Sequence, residues 1–213
     1  MSTLSYIKKI IFWNSTARVQ RERMINEIDE TEWRKLGCPL PPPAKVKQNA
    51  IRDFGKAHGC NVLIETGTFM GDTVFALKDD FIKITTIELD KKLAWNASKR
   101  FKELSYVNVI QGDSGNILKE ILPKMNNGHN LLFWLDGHYS GGVTSKSDKN
   151  TPIIDELISI FSHVPDSAII IDDARLFDGT MDYPSIEEIQ NLISSYNLPL
   201  DLNIKDDMIF ISK

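Results

Sequence analysis

The chain has 213 residues, 42% hydrophobic and 25% charged, with 25 basic against 29 acidic side chains for a net charge of −4. That suits one globular domain with at most a terminal extension, and it leaves no basic face of the size nucleic acid requires. No run approaches the ~18 apolar residues of a membrane span, and no long apolar core precedes a cleavage site, so a cytoplasmic protein is expected.

Residues 1–21 hold Lys8, Lys9, Arg18 and Arg21 with no acid, beside Ile7, Ile10, Ile11, Phe12 and Trp13. Such a segment suits peripheral contact with an anionic membrane, or packing on the domain or on a partner subunit in a homodimer. Residues 22–36 are charged and helix-prone and close at Gly37. Cys38-Pro-Leu-Pro-Pro-Pro43 then reads as a stiff linker, because proline disfavours helix at itself and at the residue before it. The expected division is a helical extension with its linker over 1–43 and the main domain over 44–213. Cys38 and Cys60 fall in no metal or redox spacing and are expected as reduced thiols.

From residue 44 the pattern alternates. A helix is predicted over 44–58, with Val46, Ala50, Ile51, Phe54 and Ala57 at helical spacing. Strand 61–65 precedes a helix over 72–78, and strand 84–88 a helix over 91–104. Strand 107–111 precedes a helix over 116–122, stopped by Pro123. Strand 131–135 is followed by a polar, glycine-bearing loop over 137–150, a candidate lid. A helix from Pro152 to about residue 161 follows, capped by Thr151. Strand 168–171 precedes a helix over 185–196 with Ser185 and Glu188 as a capping box. The runs 202–205 and 208–211, joined by Asp206-Asp207, read as a hairpin. Five strand–helix repeats and a terminal hairpin predict a doubly wound, mostly parallel, seven-stranded α/β sheet, with the ligand crevice beyond the strand ends where the order reverses.

The chemistry concentrates at those strand ends. After the first strand, Glu65 leads into Gly67-x-x-x-Gly71, where a tight turn lets a ligand approach the backbone. Glu88 ends the second strand, 21 positions after Gly67, where a carboxylate can accept from both ribose hydroxyls. The spacing lacks the middle glycine that admits a pyrophosphate, so a ribosyl cofactor without one fits better than NAD. Gly112-Asp113-Ser114 offers an acid and a hydroxyl at the same edge, able to read an adenine or simply to make a turn. The fourth and fifth strands end in Asp136-Gly137-His138-Tyr139 and Asp172-Asp173-Ala174-Arg175. Three crowded carboxylates raise one another's pKa or attract a hard cation such as Mg²⁺. His138 has the titration range of a general base, and it equally suits orienting Asp136 or capping the loop. Tyr139 suits either substrate contact or packing, and Arg175 suits either an anionic substrate group or a neighbouring acid.

From about residue 46 to the end, these residues together resemble the class I S-adenosylmethionine-dependent methyltransferases, a Rossmann-like fold. That resemblance implies S-adenosylmethionine as cofactor. Glu65, Gly67, Thr68 and Gly71 would line its methionine end, Glu88 its ribose, and Asp113 with Ser114 its adenine, with Thr73 and Asp136 as further cofactor contacts. Glu65-Thr-Gly-x-x-x-Gly71, Asp136-Gly137 and Asp172-Asp173 are similar to the macrocin O-methyltransferase group, which is magnesium-dependent and acts on sugar hydroxyls. The similarity implies Asp136, Asp172 and Asp173 as Mg²⁺ ligands and a small-molecule or glycan hydroxyl as acceptor, with no nucleic acid partner. Where that group carries an acid two positions after its first ligand, this chain has His138. The alternatives are a metal-independent methyltransferase of the same fold, in which Asp136 contacts the cofactor and Asp172 and Asp173 bind substrate, and a noncatalytic cofactor-binding or assembly module.

Overall fold

The computed structural model describes residues 28–125, 130–137 and 151–213. The expectations for 1–21, for His138 and Tyr139, and for most of the 137–150 loop fall outside those residues. By its internal contacts the chain divides between Ala50 and Ile51, inside a helix.

In the first unit, α1 (Glu30–Lys35) begins where the Asp29 side chain accepts from the Glu32 N–H at 2.8 Å. It ends before Gly37, whose φ of +82° suits glycine. Trp33 is buried, and its Nε1 donates to the Pro39 carbonyl at 2.9 Å, so the proline stretch folds back against the helix. The helix α2 (Ala44–Ala57) spans the division.

The second unit holds β1 (Val62–Thr66), α3 (Asp72–Leu77), β2 (Lys83–Glu88), α4 (Lys91–Arg100), β3 (Val107–Gln111) and α5 (Ser114–Ile121). It continues with β4 (Leu131–Leu135), α6 (Ile153–His163), β5 (Ala168–Ile171), α7 (Ile186–Ser195), β6 (Asp201–Lys205) and β7 (Met208–Ser212). The sheet order is β3-β2-β1-β4-β5-β7-β6. The first five pair in parallel; β7 runs antiparallel to β5 and to β6. The order therefore reverses between β1 and β4, as the repeat pattern predicted.

Every residue of β1, β4 and β5 is buried, which is why these strands are apolar without strict alternation. On one face Ile64, Phe133 and Ile169 pack with Leu118 of α5, Leu157 of α6 and Ile189 of α7. Full burial of each such side chain contributes about 1.5–3 kcal/mol. On the other face, Gly55 brings α2 close to the sheet: a Cβ there would lie 3.2 Å from Leu132 and 3.3 Å from Phe81.

Element ends shift for identifiable reasons. The helix α4 stops at Arg100 rather than near 104, because Phe101 leaves the helix and lays its ring edge over Gly71. The helix α5 starts two residues early because Asp113 caps it, accepting from the Asn116 N–H at 3.0 Å. Pro152 sits at the cap position of α6, and the Thr151 hydroxyl accepts from the Ile153 N–H at 3.3 Å. The Ser185–Glu188 capping box on α7 forms as expected. Asp206 and Asp207 both take positive φ, +50° and +63°, as a tight two-residue hairpin turn demands.

Candidate functional site

The parallel pairing brings the carboxyl ends of β1 to β5 onto one edge, and nearly all described candidate residues stand there. Glu65 points into the structure. It is 1% exposed, and its Oε2 accepts the Thr86 hydroxyl at 2.5 Å, while Thr86 Oγ1 lies 2.5 Å from Thr68 Oγ1. Burial pushes the Glu65 carboxyl up to about 8, against the Thr86 hydrogen bond, with the Glu88 charge adding to the rise. Thr68 is thus turned inward, and Thr73 lies half-buried in the first turn of α3.

Gly67 has φ +85°, and a Cβ there would run into the carbonyl of Asp136. The Asp136 carbonyl, just past the end of β4, thus makes one close approach that requires glycine here. Gly71, at φ +78°, is likewise matched to the Phe101 ring, 2.8 Å from where its Cβ would be. The turn itself is held by Gly67 N–H to Ile87 O at 2.9 Å and Gly71 N–H to Thr68 O at 2.8 Å.

Glu88 organises the rim. Its Oε2 accepts the Phe69 N–H at 2.7 Å and its Oε1 the Asp90 N–H at 2.8 Å, so one carboxylate ties the β1–α3 loop to the start of α4. A carboxylate oxygen has two lone pairs, so each keeps capacity for a ribose hydroxyl. Asp113 spends Oδ1 on its cap. Ser114 is buried.

Glu156 was not singled out from the sequence. It is 1% exposed, and burial pushes its carboxyl up to about 7, with the Ser114 and Thr66 hydroxyls pulling down and Asp113 and Asp155 adding to the rise. Thr66 Oγ1 and Glu156 Oε1 flank Gly137, at 3.2 and 3.4 Å from the position of an added Cβ. The available signal was a charge on the apolar stripe of α6 between Ile153 and Ile160.

At the far side, Asp136 and Asp172 follow the register pair Leu135–Ile171, so they leave adjacent strands side by side. Asp172 is 1% exposed. Asp173 takes φ +57° and pairs with Arg175 Nη1 at 2.8 Å. Arg175 also bonds the Asp207 carboxylate through Nη1 and, at 2.9 Å, through its backbone N–H; Ala174 N–H reaches the Asp207 carbonyl at 2.8 Å. Of the two readings open for Arg175, the structure shows the pairing with neighbouring acids, which ties the hairpin turn to the end of β5. Of the three acids expected as Mg²⁺ ligands, Asp173 is ion-paired with Arg175. Among the described residues no group of three or more His, Cys, Asp or Glu is close enough to hold a metal ion. Tyr183, also missed from the sequence, stacks edge-on to Phe177 at 5.5 Å. Burial pushes its phenol up to about 12, with the Asp173 and Asp136 charges adding and Arg175 opposing.

No protein-family model and no curated protein matches the chain. Solved structures do. The O-methyltransferase TomG of Streptomyces achromogenes, involved in tomaymycin synthesis and in complex with S-adenosylmethionine, shares 15% identity over 93% of this chain and 95% of that one, with a TM-score of 0.58. An O-methyltransferase of Bacillus cereus in complex with S-adenosylhomocysteine matches at 15% over 98% and 96%, TM-score 0.54. The Podospora anserina methyltransferase PaMTH1, bound to S-adenosylhomocysteine, matches at 13% over 95% and 97%, TM-score 0.53. With the sheet order and the antiparallel hairpin, these establish the Rossmann-like fold of class I methyltransferases.

Proposed function

We propose that the chain transfers the methyl group of S-adenosylmethionine to an oxygen of a small-molecule acceptor, a sugar or glycan hydroxyl being the first class to test. The carrying observation is the rim itself: Glu88 and Asp113 stand at the ends of β2 and β3, beside the Gly67 turn, in a sheet of this order. The fold neighbours support the reading, since those named above bind this cofactor or its product and two are O-methyltransferases.

The donor set fits the cofactor. Glu88 retains lone pairs for two ribose hydroxyls, and Asp113 Oδ2, not used in the helix cap, suits an exocyclic amino group. The bound cofactor supplies an electrophilic methyl on a sulfonium. The chain then has to seat the acceptor oxygen in line with that methyl, exclude water and remove one proton. Alignment is worth most, since oriented reactions gain ~7–11 kcal/mol. Asp136 orients the acceptor hydroxyl from the end of β4, His138 takes its proton, and Tyr139 contacts the acceptor. The Tyr183 phenol, held neutral near Asp136 and Asp173, donates to an acceptor oxygen.

Mg²⁺ assistance is part of the proposal in a reduced form. Asp136 and Asp172 are hard oxygen donors at adjacent strand ends, and Mg²⁺ commonly takes one or two carboxylates and completes its shell with waters. It would help the acceptor hydroxyl lose its proton. Asp173, paired with Arg175, would steady the site from outside the ligand shell. The domain carrying this activity is proposed to begin at α2, with residues 1–43 as an extension that supports membrane contact or dimer formation.

The test is thermal unfolding with S-adenosylmethionine, S-adenosylhomocysteine or NAD, each with and without Mg²⁺, followed by tritiated-methyl transfer to a panel of sugar, catechol and carboxylate acceptors. A cofactor at ~100 times its Kd stabilises by about 2.7 kcal/mol, well within detection. Stabilisation by NAD instead would replace the reading with a dehydrogenase.

A further inference from the structure

The helix α4 stands out in an acidic chain. Residues 91–102 contain Lys91, Lys92, Lys99, Arg100 and Lys102 and no acid, in a protein of net charge −4. Lys91, Trp95 and Lys99 recur every four residues and so line one face of the helix. Trp95 is 58% exposed, with the Lys99 ammonium 3.6 Å from its ring centroid. Across the junction with α3, Phe75 is 53% exposed beneath the Arg100 guanidinium, 4.9 Å from its centroid, with Lys78 Nζ at 5.6 Å on the same ring. Arg100 ties the two helices through Asp72 at 2.7 Å and the Met70 carbonyl at 2.6 Å. Among the described residues no carboxylate pairs with Lys91, Lys92 or Lys99.

We infer that the outer face of α3 and α4 docks on an anionic phospholipid surface. An indole and a phenyl ring set among lysines is the arrangement that sits at a bilayer interface, rings at headgroup depth and ammonium groups on lipid phosphates. Charge decides the occupant. Lys91, Lys92 and Lys99, which no described carboxylate neutralises, match a plane of negative headgroups, whereas Arg100, Lys78 and Lys102 are paired with Asp72, Asp79 and Glu103. The protein's net negative charge disfavours non-specific attraction elsewhere. A nucleic acid would instead need a groove tracking its phosphates with rings available for stacking. Here the rings are capped by cations on the outside of helices, and Asp72 and Asp79 flank them.

The full-length chain is sedimented with vesicles of phosphatidylcholine alone and of phosphatidylcholine with phosphatidylglycerol. It is compared with Lys91→Glu/Lys99→Glu and with Trp95→Ser. Binding to the anionic vesicles only, weakened about fivefold or more per lost cation and screened by salt, is expected. Trp95→Ser should also weaken it. S-adenosylhomocysteine affinity and thermal unfolding establish that the variants are folded. Equal vesicle binding by wild type and both variants assigns any membrane contact to another part of the chain and overturns the inference. So does the absence of binding. A shift of a single-stranded oligonucleotide that the charge reversal abolishes, or a dimer in ultracentrifugation that Trp95→Ser splits, would give the face to nucleic acid or to a second copy and overturn it equally.

Discussion

Glu65 carries the clearest residue-scale consequence. Its carboxyl titrates near 8 when folded against an ordinary 4.5, chiefly from burial. Below pH 4.5 both states hold the proton and nothing is lost. As pH rises toward 8 the unfolded chain releases it while the folded one does not, so stability falls through that window and levels off above it. Glu156 adds the same slope up to about 7. Glu65→Gln should therefore roughly halve the pH dependence of the urea midpoint between about 5 and 7 and remove it between about 7 and 8, leaving the slope of Glu156, which ends near 7. Superimposable curves would place Glu65 in a wetter setting. Gly67→Ala should cost at least about 2 kcal/mol, from positive φ and the clash with the Asp136 carbonyl. A smaller loss in chemical unfolding would mean that the β4 end yields. These glycines were legible as necessary, but their partners were not: spacing reveals that a Cβ is forbidden, and only the folded chain reveals that Asp136 and Phe101 forbid it. Tyr183 was beyond reach for the same reason, since its relation to Asp136 spans 47 positions.

At the scale of elements, short-range rules carried far. The apolar runs of β1, β4 and β5, the Ser185–Glu188 box and the Asp206-Asp207 turn gave the strands, helices and hairpin to within a few residues. Failures came where tertiary contact overrode periodicity. Phe101 and Leu104 continue an apolar rhythm that the chain abandons, because Phe101 is needed over Gly71. The two aspartates of the hairpin read as turn formers, yet Asp207 binds Arg175 and Ala174 and makes the turn a clamp on the end of β5. Asp207→Ala should destabilise by about 1–3 kcal/mol, because it leaves a guanidinium with one partner instead of two. It should also weaken Mn²⁺ binding, followed by electron paramagnetic resonance, less than Asp136→Asn or Asp172→Asn does. If Asp207→Ala or Asp173→Asn abolished Mn²⁺ binding as completely, Asp173 would be a direct ligand and the three-acid set expected from the sequence would stand.

For the whole molecule, the sheet order places the acids of β1 and β2 on one side of the reversal and those of β4 and β5 on the other. On the proposed function, a cofactor lying across the first group would present its reactive end toward the second. The exposed rings and cations of α3 and α4 flank the loop that Glu88 holds. Calorimetric titration of S-adenosylhomocysteine into wild type and Glu88→Ala tests the central claim most directly. Saturable one-to-one binding, weakened at least ~10-fold (about 1.4 kcal/mol) in a variant that still unfolds cooperatively, is the predicted result. No binding to wild type, or equal affinity in the variant, would contradict it.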